Sequence, residues 1–472
     1  MVRRQLLMLL LAAGLPSGTG YAQTVPGERY RVLAEQIVTT ALRSNRSIEM
    51  LTDLVTTTGH RFSGSPGADK GVAWSRELMT SLAFDSVWLE PVMVPRWVRG
   101  PVEKAVVHAS PSRPAVELSV AALGGSIGTP PQGITAQVVE VRSFEELRAM
   151  GDKATGKIVF FNRPMDRGFV NTFRAYGGAV DQRAGGAIET AKAGGVAALV
   201  RSMTTRINDV PHTGGMGYAD SIPKVPAISV STQDAEMLSA LVKSEHAVTL
   251  TITMSATSLP EVGSANVIGQ LTGSEHPEEV IIVGGHLDSW DKGVGAHDDG
   301  AGCVQSIEAL RILKTLGLKP KRTIRAVMFM NEENGLRGGI AYAAQKRPAE
   351  RAIAAIEADM GGFAPRGFGV SDSAAYSIIA SWASVFAPIG ADDITFGGGG
   401  ADISPMMQRG VPGIGLIVET QRYFDLHHSD DDVLDSVNER ELALGSAALA
   451  ILAYMISEEG LPQTGIPPAR LH

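Results

Sequence analysis

The segment GGHLDSWDKGVGAHDDGAG, which runs from Gly284 to Gly302, constrains this chain more than any other stretch. It follows the apolar run 280–283 and holds two histidines and four aspartates, with neither helical nor strand periodicity. Burying several carboxylates side by side is costly unless cations neutralise them. The segment therefore predicts a cation-binding site at the end of a buried strand.

The second half of the chain alternates between apolar strands and helices. The pattern predicts strands at 280–285, 323–330, 352–358 and 411–418, and helices at 303–316 and 439–456. Strands that alternate with helices of this length predict an α/β fold with a mainly parallel, mixed sheet flanked by helices.

Acidic and histidine clusters follow each of these strands. They are His286 and Asp288 after the first strand, Glu332 and Glu333 after the second, Asp359 after the third, and His427 and His428 after the fourth. Ligands bind at the carboxyl ends of the strands in sheets of this kind. The clusters are therefore expected to meet at one edge of the sheet.

The middle of the chain has a different texture. Short β-like runs occur at 117–123, 137–141, 157–161, 227–230 and 248–254, with an Ala/Gly-rich helix at 185–193. We interpret this as a β-rich domain that interrupts the α/β domain. The predicted organisation is a signal peptide at 1–22, the first part of the α/β domain at 23–101, the insert at 102–262 and the metal-binding part at 263–472.

The N-terminus and the overall charge indicate the compartment and exclude one class of partner. Arg3 and Arg4 precede an apolar run at 6–15, and Ala22 is a suitable cleavage point, which predicts export to the periplasm or outside the cell, with no membrane attachment after cleavage. The single cysteine, Cys303, allows no intramolecular disulfide. The formal net charge of −8, without a basic patch, argues against a nucleic-acid partner.

The residue types at the strand ends favour catalytic zinc. The candidate ligands are His286, Asp298, Glu333, Asp359 and His428. Imidazole and carboxylate groups without cysteine are typical of catalytic zinc sites, and the two oxygens of an aspartate such as Asp298 can bridge two ions. Asp288, two residues after His286, is expected to accept the other ring N–H of that histidine. One of the two adjacent glutamates can bind metal while the other acts as general base.

The motifs GGHLDSWDKGVGAHDDGAG, NEENGLRGG, EADMGG and FDLHHSDDD resemble those of the co-catalytic zinc metallopeptidases related to bacterial leucyl aminopeptidases and glutamate carboxypeptidase. Upstream, LGGSIGTPPQGITA, GGAIETAKAGGVAALVRS and VPAISVSTQDAEML resemble the protease-associated insert of such enzymes. The resemblance covers most of the chain after residue 22.

This resemblance implies a specific assignment of roles. It implies two Zn²⁺ per chain, one bound by His286 and Asp359 and the other by Glu333 and His428, with Asp298 bridging, Glu332 as general base, Asp432 supporting His428, and a nonprolyl cis peptide at Asp298–Asp299. His427, beside a ligand, is a candidate donor to the oxyanion. The glycines at 397–400 suggest a pocket wall where substrate lies close to the backbone.

The sequence therefore predicts an exported dinuclear zinc exopeptidase that hydrolyses dipeptides or short peptides with free termini. Candidates for binding the terminal carboxylate of the peptide are Arg183, Arg201 and, more weakly, His212. The alternatives are a zinc aminopeptidase with a broader length range, a one-zinc acyltransferase of the glutaminyl-cyclase type, and a metal-free receptor or binding module. A homodimer is compatible with the sequence.

Overall fold

The computed structural model describes residues 28–44 and 46–462, so the predicted signal peptide at 1–22 lies outside the described residues. The strands in chain order are β1 (Ser86–Val98), β2 (Glu103–Val107), β3 (Val116–Leu118), β4 (Val120–Ala122), β5 (Ile134–Val141), β6 (Ile158–Phe161), β7 (Ala197–Arg201), β8 (Ala227–Val230), β9 (Thr249–Met254), β10 (Thr257–Leu271), β11 (His276–His286), β12 (Arg322–Phe329), β13 (Arg351–Glu357), β14 (Pro365–Val370), β15 (Asp393–Phe396) and β16 (Gly413–Val418).

The α-helices connect and flank these strands. In chain order they are α1 (Arg31–Ser44), α2 (Arg46–Thr58), α3 (Pro66–Ser81), α4 (Phe144–Met150), α5 (Thr172–Gly177), α6 (Asp181–Lys192), α7 (Thr232–Ser244), α8 (Ala301–Thr315), α9 (Arg337–Ala344), α10 (Ser373–Ala380), α11 (Ala383–Phe386), α12 (Ser404–Met407) and α13 (Glu439–Glu459).

The first sheet has eight strands in the order β1-β10-β12-β11-β13-β16-β14-β15. Its centre, β12-β11-β13-β16, is parallel, whereas β1, β10 and β14 add antiparallel pairs. Alternate residues of β11 pack on opposite faces: Ile281 and Val283 join one core cluster, and Val280 and Ile282 join another. A strand buried on both faces needs a continuous apolar run, which is why residues 280–283 carry no polar alternation.

Helices cover both faces of the first sheet. Helices α8 and α13 pack on each other and on β11 and β12, and α9 and α12 contribute to the cluster on the opposite face. Helix α13 begins after Asn438, whose side chain accepts the N–H groups of Arg440 and Glu441. It is long and apolar enough to cross a membrane, but 78% of its apolar window is buried, as in the core helix of a globular domain.

The second sheet is formed by residues between Glu103 and Met254, in the order β3-β2-β9-β5-β6-β7-β8-β4. Strands β5, β6, β7 and β8 are parallel neighbours, and α4, α6 and α7 belong to the same stretch of chain. Trp290, from the segment that follows β11, lies in the core of this sheet and stacks on Phe62 at 4.7 Å between ring centroids. The two sheets are therefore packed together beside the predicted metal site.

The predicted α/β fold is confirmed, and the four central strands occur close to their expected positions. The sequence pattern does not predict β10, because its residues 257–263 are exposed and show no apolar alternation. In the structure these residues pair with β1, beginning with Thr257 opposite Val98. Residue 262, the expected end of the insert, lies within this continuous strand. The division of the chain into domains remains a prediction.

Candidate metal centre

The central parallel strands bring the predicted ligands to one edge of the first sheet. His286 is the last residue of β11, and Asp359 lies two residues after the end of β13. Glu333 follows β12, and His428 belongs to the segment after β16. Because the carboxyl ends of parallel strands lie at the same edge, side chains from distant parts of the chain meet there.

Asp298 occupies the middle of the cluster. Its Oδ1 lies 3.3 Å from Nε2 of His286, whose Nε2 is also 3.5 Å from Oδ1 of Asp359. Its Oδ2 lies 3.2 Å from Nε2 of His428, whose Nε2 is also 3.1 Å from Oε2 of Glu333. The two oxygens of Asp298 therefore face two different pairs of side chains. The nonprolyl cis peptide expected at Asp298–Asp299 is present.

These side chains suit divalent cations. Among the residues that the structure describes, Asp298 Oδ2, Glu333 Oε1, Asp359 Oδ1 and His428 Nδ1 are buried and make no hydrogen bond. Burial and neighbouring carboxylates raise the pKa of Glu333 and of Asp359, whereas the imidazoles of His286 and His428 hold the pKa of Asp298 well below its usual value although burial opposes this. Buried anionic oxygens with unused lone pairs are the donor set that a cation requires.

Asp288 does not contact His286 in the predicted way. The main-chain carbonyl of Asp288, not its carboxylate, lies 2.9 Å from His286 Nδ1. The carboxylate instead accepts the N–H groups of Asn331 and Glu332, at 2.6 and 3.1 Å, and the hydroxyl of Ser63. The expectation of a carboxylate–imidazole pair is therefore wrong: the turn that carries the two glutamates offers unpaired N–H groups that compete for the carboxylate.

Asp432 also has a partner other than the expected one. Its carboxylate accepts the main-chain N–H of His297 at 2.7 Å and of Asp298 at 3.1 Å, and no hydrogen bond to His428 occurs among the described residues. Asp299 similarly accepts the N–H groups of His286 and Gly302. These buried carboxylates hold the backbone at the predicted ligands and, in the part of the chain that the structure describes, make no hydrogen bond to the side chains of those ligands.

Glu332 is partly buried beside the cluster of carboxylates. Burial, followed by the charges of Asp359, Asp288 and Asp298, raises its pKa to about 8, although His286 opposes the shift. Its main chain is held by Asp288, and its side chain makes no hydrogen bond among the described residues. A buried carboxyl group with an elevated pKa is suited to accept and return a proton near neutral pH.

His427 lies beside the cluster without the contacts of His428. Its ring stacks on the ring of His428 at 3.4 Å between centroids, and its Nε2 is 3.9 Å from Asp298 Oδ2. Asp298, His427 and His428 form a group that could itself hold a metal ion. The distances nevertheless favour His428 as the ligand, since it lies closer to Asp298 and also contacts Glu333.

Of the three candidates for binding the peptide terminus, Arg183 has the most unused donors and no carboxylate partner among the described residues, whereas only Nε of Arg201 is left without a hydrogen bond. Arg201 is paired with Glu236 at 2.8 Å, and Nδ1 of His212 lies 2.6 Å from the carbonyl of His427. Arg183 is 8% exposed, and its Nη2 donates to the hydroxyl of Tyr176 at 2.6 Å. Its Nε and Nη1 are buried without a hydrogen bond among the described residues.

The position of Arg183 places it beside the metal cluster. A Cβ at Gly214, where φ is +134°, would lie 2.4 Å from Arg183 Nη1 and 2.8 Å from His428 Nδ1. Glycine is therefore required where the second sheet meets the metal site. Tyr176, which packs edge-on against His427 at 5.5 Å between ring centroids, joins the same group. Tyr176 lies in no recognisable motif, so the sequence alone does not point to it.

Arg61 is a second residue that the sequence does not reveal. It is fully buried and donates to the carbonyls of Leu287, Val294 and Gly295 at 2.7, 2.7 and 2.9 Å. Its guanidinium thus joins both ends of the loop between His286 and Asp298. Arg61 lies in the connection between α2 and α3, where a single arginine carries no sequence signal for such a role.

Three of the glycines at 397–400 have a packing role. A Cβ at Gly399 would lie 2.6 Å from the sulfur of Met407, and a Cβ at Gly400 would lie 2.1 Å from the carboxyl carbon of Glu357. A Cβ at Gly398 would lie 2.8 Å from the backbone of Gly369, whereas a Cβ at Gly397 would meet nothing within 4 Å. Packing against protein atoms therefore explains the last three of these glycines, and the pocket wall for substrate stays a prediction.

The fold and the acidic-histidine cluster define a metallopeptidase, and comparison with known proteins agrees. Residues 266–453 match the model of peptidase family M28. The chain is 38% identical over 425 residues to carboxypeptidase Q of Bos taurus, covering 89% of this chain and 87% of that protein.

Solved structures give the same result. A peptidase M28 precursor from Shewanella amazonensis SB2B superposes with a TM-score of 0.88 at 32% identity, covering 94% of this chain and all of that one. A zinc aminopeptidase from Bacillus subtilis shares the fold, with a TM-score of 0.62 at 21% identity, covering 86% of this chain and 93% of that one. The chain belongs to peptidase family M28. The resemblance to co-catalytic zinc metallopeptidases and the predicted enzyme class, a zinc metallopeptidase with exopeptidase relatives, are confirmed.

Proposed function

We propose that the chain is an exported dinuclear zinc exopeptidase that hydrolyses dipeptides or very short peptides with free termini. The position of Asp298 carries this proposal, because its two oxygens face His286 on one side and His428 on the other. A carboxylate placed in this way suits two ions better than one.

The chain offers two complete ligand sets. His286 and Asp359 would hold one zinc ion, Glu333 and His428 would hold the other, and Asp298 would bridge them. Bound zinc supplies Lewis acidity at the scissile carbonyl and lowers the pKa of the attacking water. Asp299 accepts the main-chain N–H of His286, and Asp432 accepts that of Asp298. These hydrogen bonds fix the backbone of both residues, so that the ligands are preorganised.

Glu332 and His427 are assigned the remaining steps of the reaction. Glu332 takes a proton from the attacking water and returns it to the leaving amine, which its buried carboxyl group is suited to do. His427, beside Asp298 and packed by Tyr176, donates a hydrogen bond to the oxygen on which negative charge develops.

Arg183 supports the preference for short peptides. A carboxylate bound near its unused Nε and Nη1 would form a charge-assisted pair in a site largely closed to water. Because Arg183 lies next to His428, a peptide anchored there by its terminal carboxylate has its scissile bond within a residue or two of the cluster. Longer chains would have no such anchor.

Metal content tests the dinuclear centre. We expect the purified protein to bind close to two zinc equivalents, chelation to abolish dipeptide hydrolysis, and zinc or cobalt to restore it. His286→Ala should lose metal, whereas His276→Ala, at an exposed histidine that begins the same strand, should not. One tightly held ion in an enzyme that hydrolyses dipeptides at the full rate would contradict the dinuclear centre.

Export rests on the N-terminal sequence. Arg3, Arg4 and the apolar run at 6–15, with Ala22 as the cleavage point, support a cleaved signal peptide. N-terminal sequencing of protein recovered from the periplasm or the medium tests this proposal, and an intact residue 1 on the exported protein would contradict it.

A further inference from the structure

A cleft opens between the two sheets, directly beside the metal centre. Its volume is about 570 Å³, and its lining includes Trp97, Met216, Leu259 and Leu336 together with Ala184 and the predicted ligand Glu333. A volume of this size is typical of small-ligand sites, and the mainly apolar lining indicates the chemistry of the group that it accepts.

The backbone of the cleft walls is already hydrogen-bonded. The N–H of Gly124 donates to the carbonyl of Gly214, the N–H of Met216 donates to the carbonyl of Gly124, and the N–H of Gly217 donates to the carbonyl of Ala184, each at 3.0 Å. These main-chain groups therefore need no partner from a ligand. A polar side chain entering the cleft would lose water and would find no free partner among these main-chain groups, so that only the side chains of Ser258 and Asn334 and the charged groups described next could replace its hydrogen bonds.

The charged groups around the cleft leave no buried counter-charge for a basic side chain. Glu261 is paired with Arg337 at 2.9 Å, and Glu333 faces His428. Arg96 is exposed and lies at the rim. Leu336 has a left-handed backbone, with φ of +54°, which is strained for a residue of this size and is typical of functional positions.

The cleft adjoins the anchor for the peptide terminus. Ala184, in its wall, is the neighbour of Arg183, and Gly215, also in its wall, is the neighbour of Gly214, which contacts Arg183. In an amino acid, the carboxylate and the side chain branch from the same Cα, so their binding sites must be adjacent. We infer that this cleft binds the side chain of the C-terminal residue of the substrate, and that it selects uncharged apolar side chains.

This inference rests on the proposed function, and its first test is a series of dipeptides Ala-Xaa with the zinc-loaded enzyme. We expect kcat/KM to be about 10-fold to 100-fold higher for Ala-Leu and Ala-Phe than for Ala-Asp and Ala-Lys, because burial of a large apolar side chain favours binding by that order. The free amino acids should follow the same order of affinity. Two measurements check this: product inhibition constants and calorimetric dissociation constants for leucine, phenylalanine, aspartate and lysine.

Two substitutions change the cleft without changing a residue of the predicted metal centre. Met216→Glu places a carboxylate in the wall and should lower kcat/KM for Ala-Leu while raising it for Ala-Lys. Leu336→Asn removes apolar surface and keeps a residue that tolerates left-handed φ, so the apolar preference should shrink with the fold intact. Ile340→Ala, at a half-exposed apolar residue that does not line the cleft, should change neither substrate order.

The outcomes test two points separately: whether the cleft is the subsite for the C-terminal side chain, and whether the enzyme hydrolyses dipeptides. Hydrolysis of all Ala-Xaa dipeptides at equal rates, unaltered by Met216→Glu, would overturn the subsite and leave the exopeptidase in place. A preference for Ala-Asp in the wild type would also overturn it. Absence of dipeptide hydrolysis by the zinc-loaded enzyme, together with calorimetric binding of leucine that Met216→Glu weakens, would contradict the proposed function and support the subsite.

Discussion

The carboxyl edge of the first sheet and the surface of the second sheet that faces it contribute different chemistry to the same site. The first supplies carboxylates and imidazoles within a few Å of one another, such as Asp298 and His286. The second supplies a guanidinium, a phenol and an imidazole, from Arg183, Tyr176 and His212. One region therefore carries the residues proposed to bind metal, and the other carries Arg183, which is proposed to bind the substrate, together with the tyrosine and histidine that pack beside it.

Buried contacts join the two regions to each other. The loop between His286 and Asp298 is anchored in the second sheet by two residues. Trp290 lies in the core of that sheet, and the carboxylate of Asp291 accepts hydrogen bonds from Nε and Nη2 of Arg99. Arg99 also donates to the carbonyl of Ala122 and to the hydroxyl of Thr213. Because these groups are buried and mutually paired, the second sheet is joined to the metal loop by a network of contacts, and changes in one region are expected to reach the other.

The largest expected effect lies in the first region, in the adjacent glutamates. Glu332→Gln should retain zinc and stability while lowering kcat by about two to four orders of magnitude, the usual range for loss of a general base. Glu333→Ala should instead lose zinc, because Oε2 of Glu333 contacts His428. Zinc analysis alongside kinetics separates the two, and the reverse pattern would exchange their roles.

The next effect concerns His427, where the two regions meet. If its ring donates to the oxyanion, His427→Ala should lower kcat by a factor of about 10²–10³ while zinc is retained. His427→Gln, which keeps an N–H donor, should recover part of the loss. An unchanged kcat in the alanine variant would show that His427 only packs against Tyr176 and His428.

A smaller effect is expected in the second region, at Arg183. Arg183→Ala should lower kcat/KM for unblocked dipeptides by about 10-fold to 100-fold, the range for loss of a charge-assisted hydrogen bond. C-terminally amidated dipeptides should be poor substrates of the wild type and should be little affected by the substitution. Arg201→Ala, at a buried arginine already paired with Glu236, is the matched control. Efficient cleavage of long or amidated peptides by the wild type would favour an aminopeptidase with a broader length range.

The smallest effect should come from His212. Burial lowers its pKa to about 4, so the ring is neutral at pH 7 and its Nδ1–H donates to the carbonyl of His427. His212→Ala should lower kcat/KM only about 3-fold to 10-fold, the equivalent of about 1 kcal/mol for one neutral hydrogen bond. His212→Asn, whose side-chain amide can replace the Nδ1–H, should restore the wild-type value. Equal losses in both variants would assign His212 a packing role.

Much of the first region is predictable because its residues are adjacent to regular elements. The apolar run 280–283 predicts β11, and the ligands His286 and Asp359 follow strand ends directly. Details within the site are not predictable from spacing. Asp288 lies two residues from His286, yet its carboxylate bonds the N–H groups of Asn331 and Glu332, because those groups approach only when β11 and β12 pair.

The sequence by itself determined the α/β class, the positions of the four central strands along the chain and the set of candidate ligand residues, because each depends on local periodicity or on a side chain next to a strand end. Tertiary structure alone decided which arginine faces the site. Arg183 and Arg201 look equivalent in sequence, and only packing pairs Arg201 with the carboxylate of Glu236 while placing Arg183 beside Gly214 with the hydroxyl of Tyr176 as its partner. Long-range contacts of this kind depend on the docking of the two sheets, which no periodicity within a segment records.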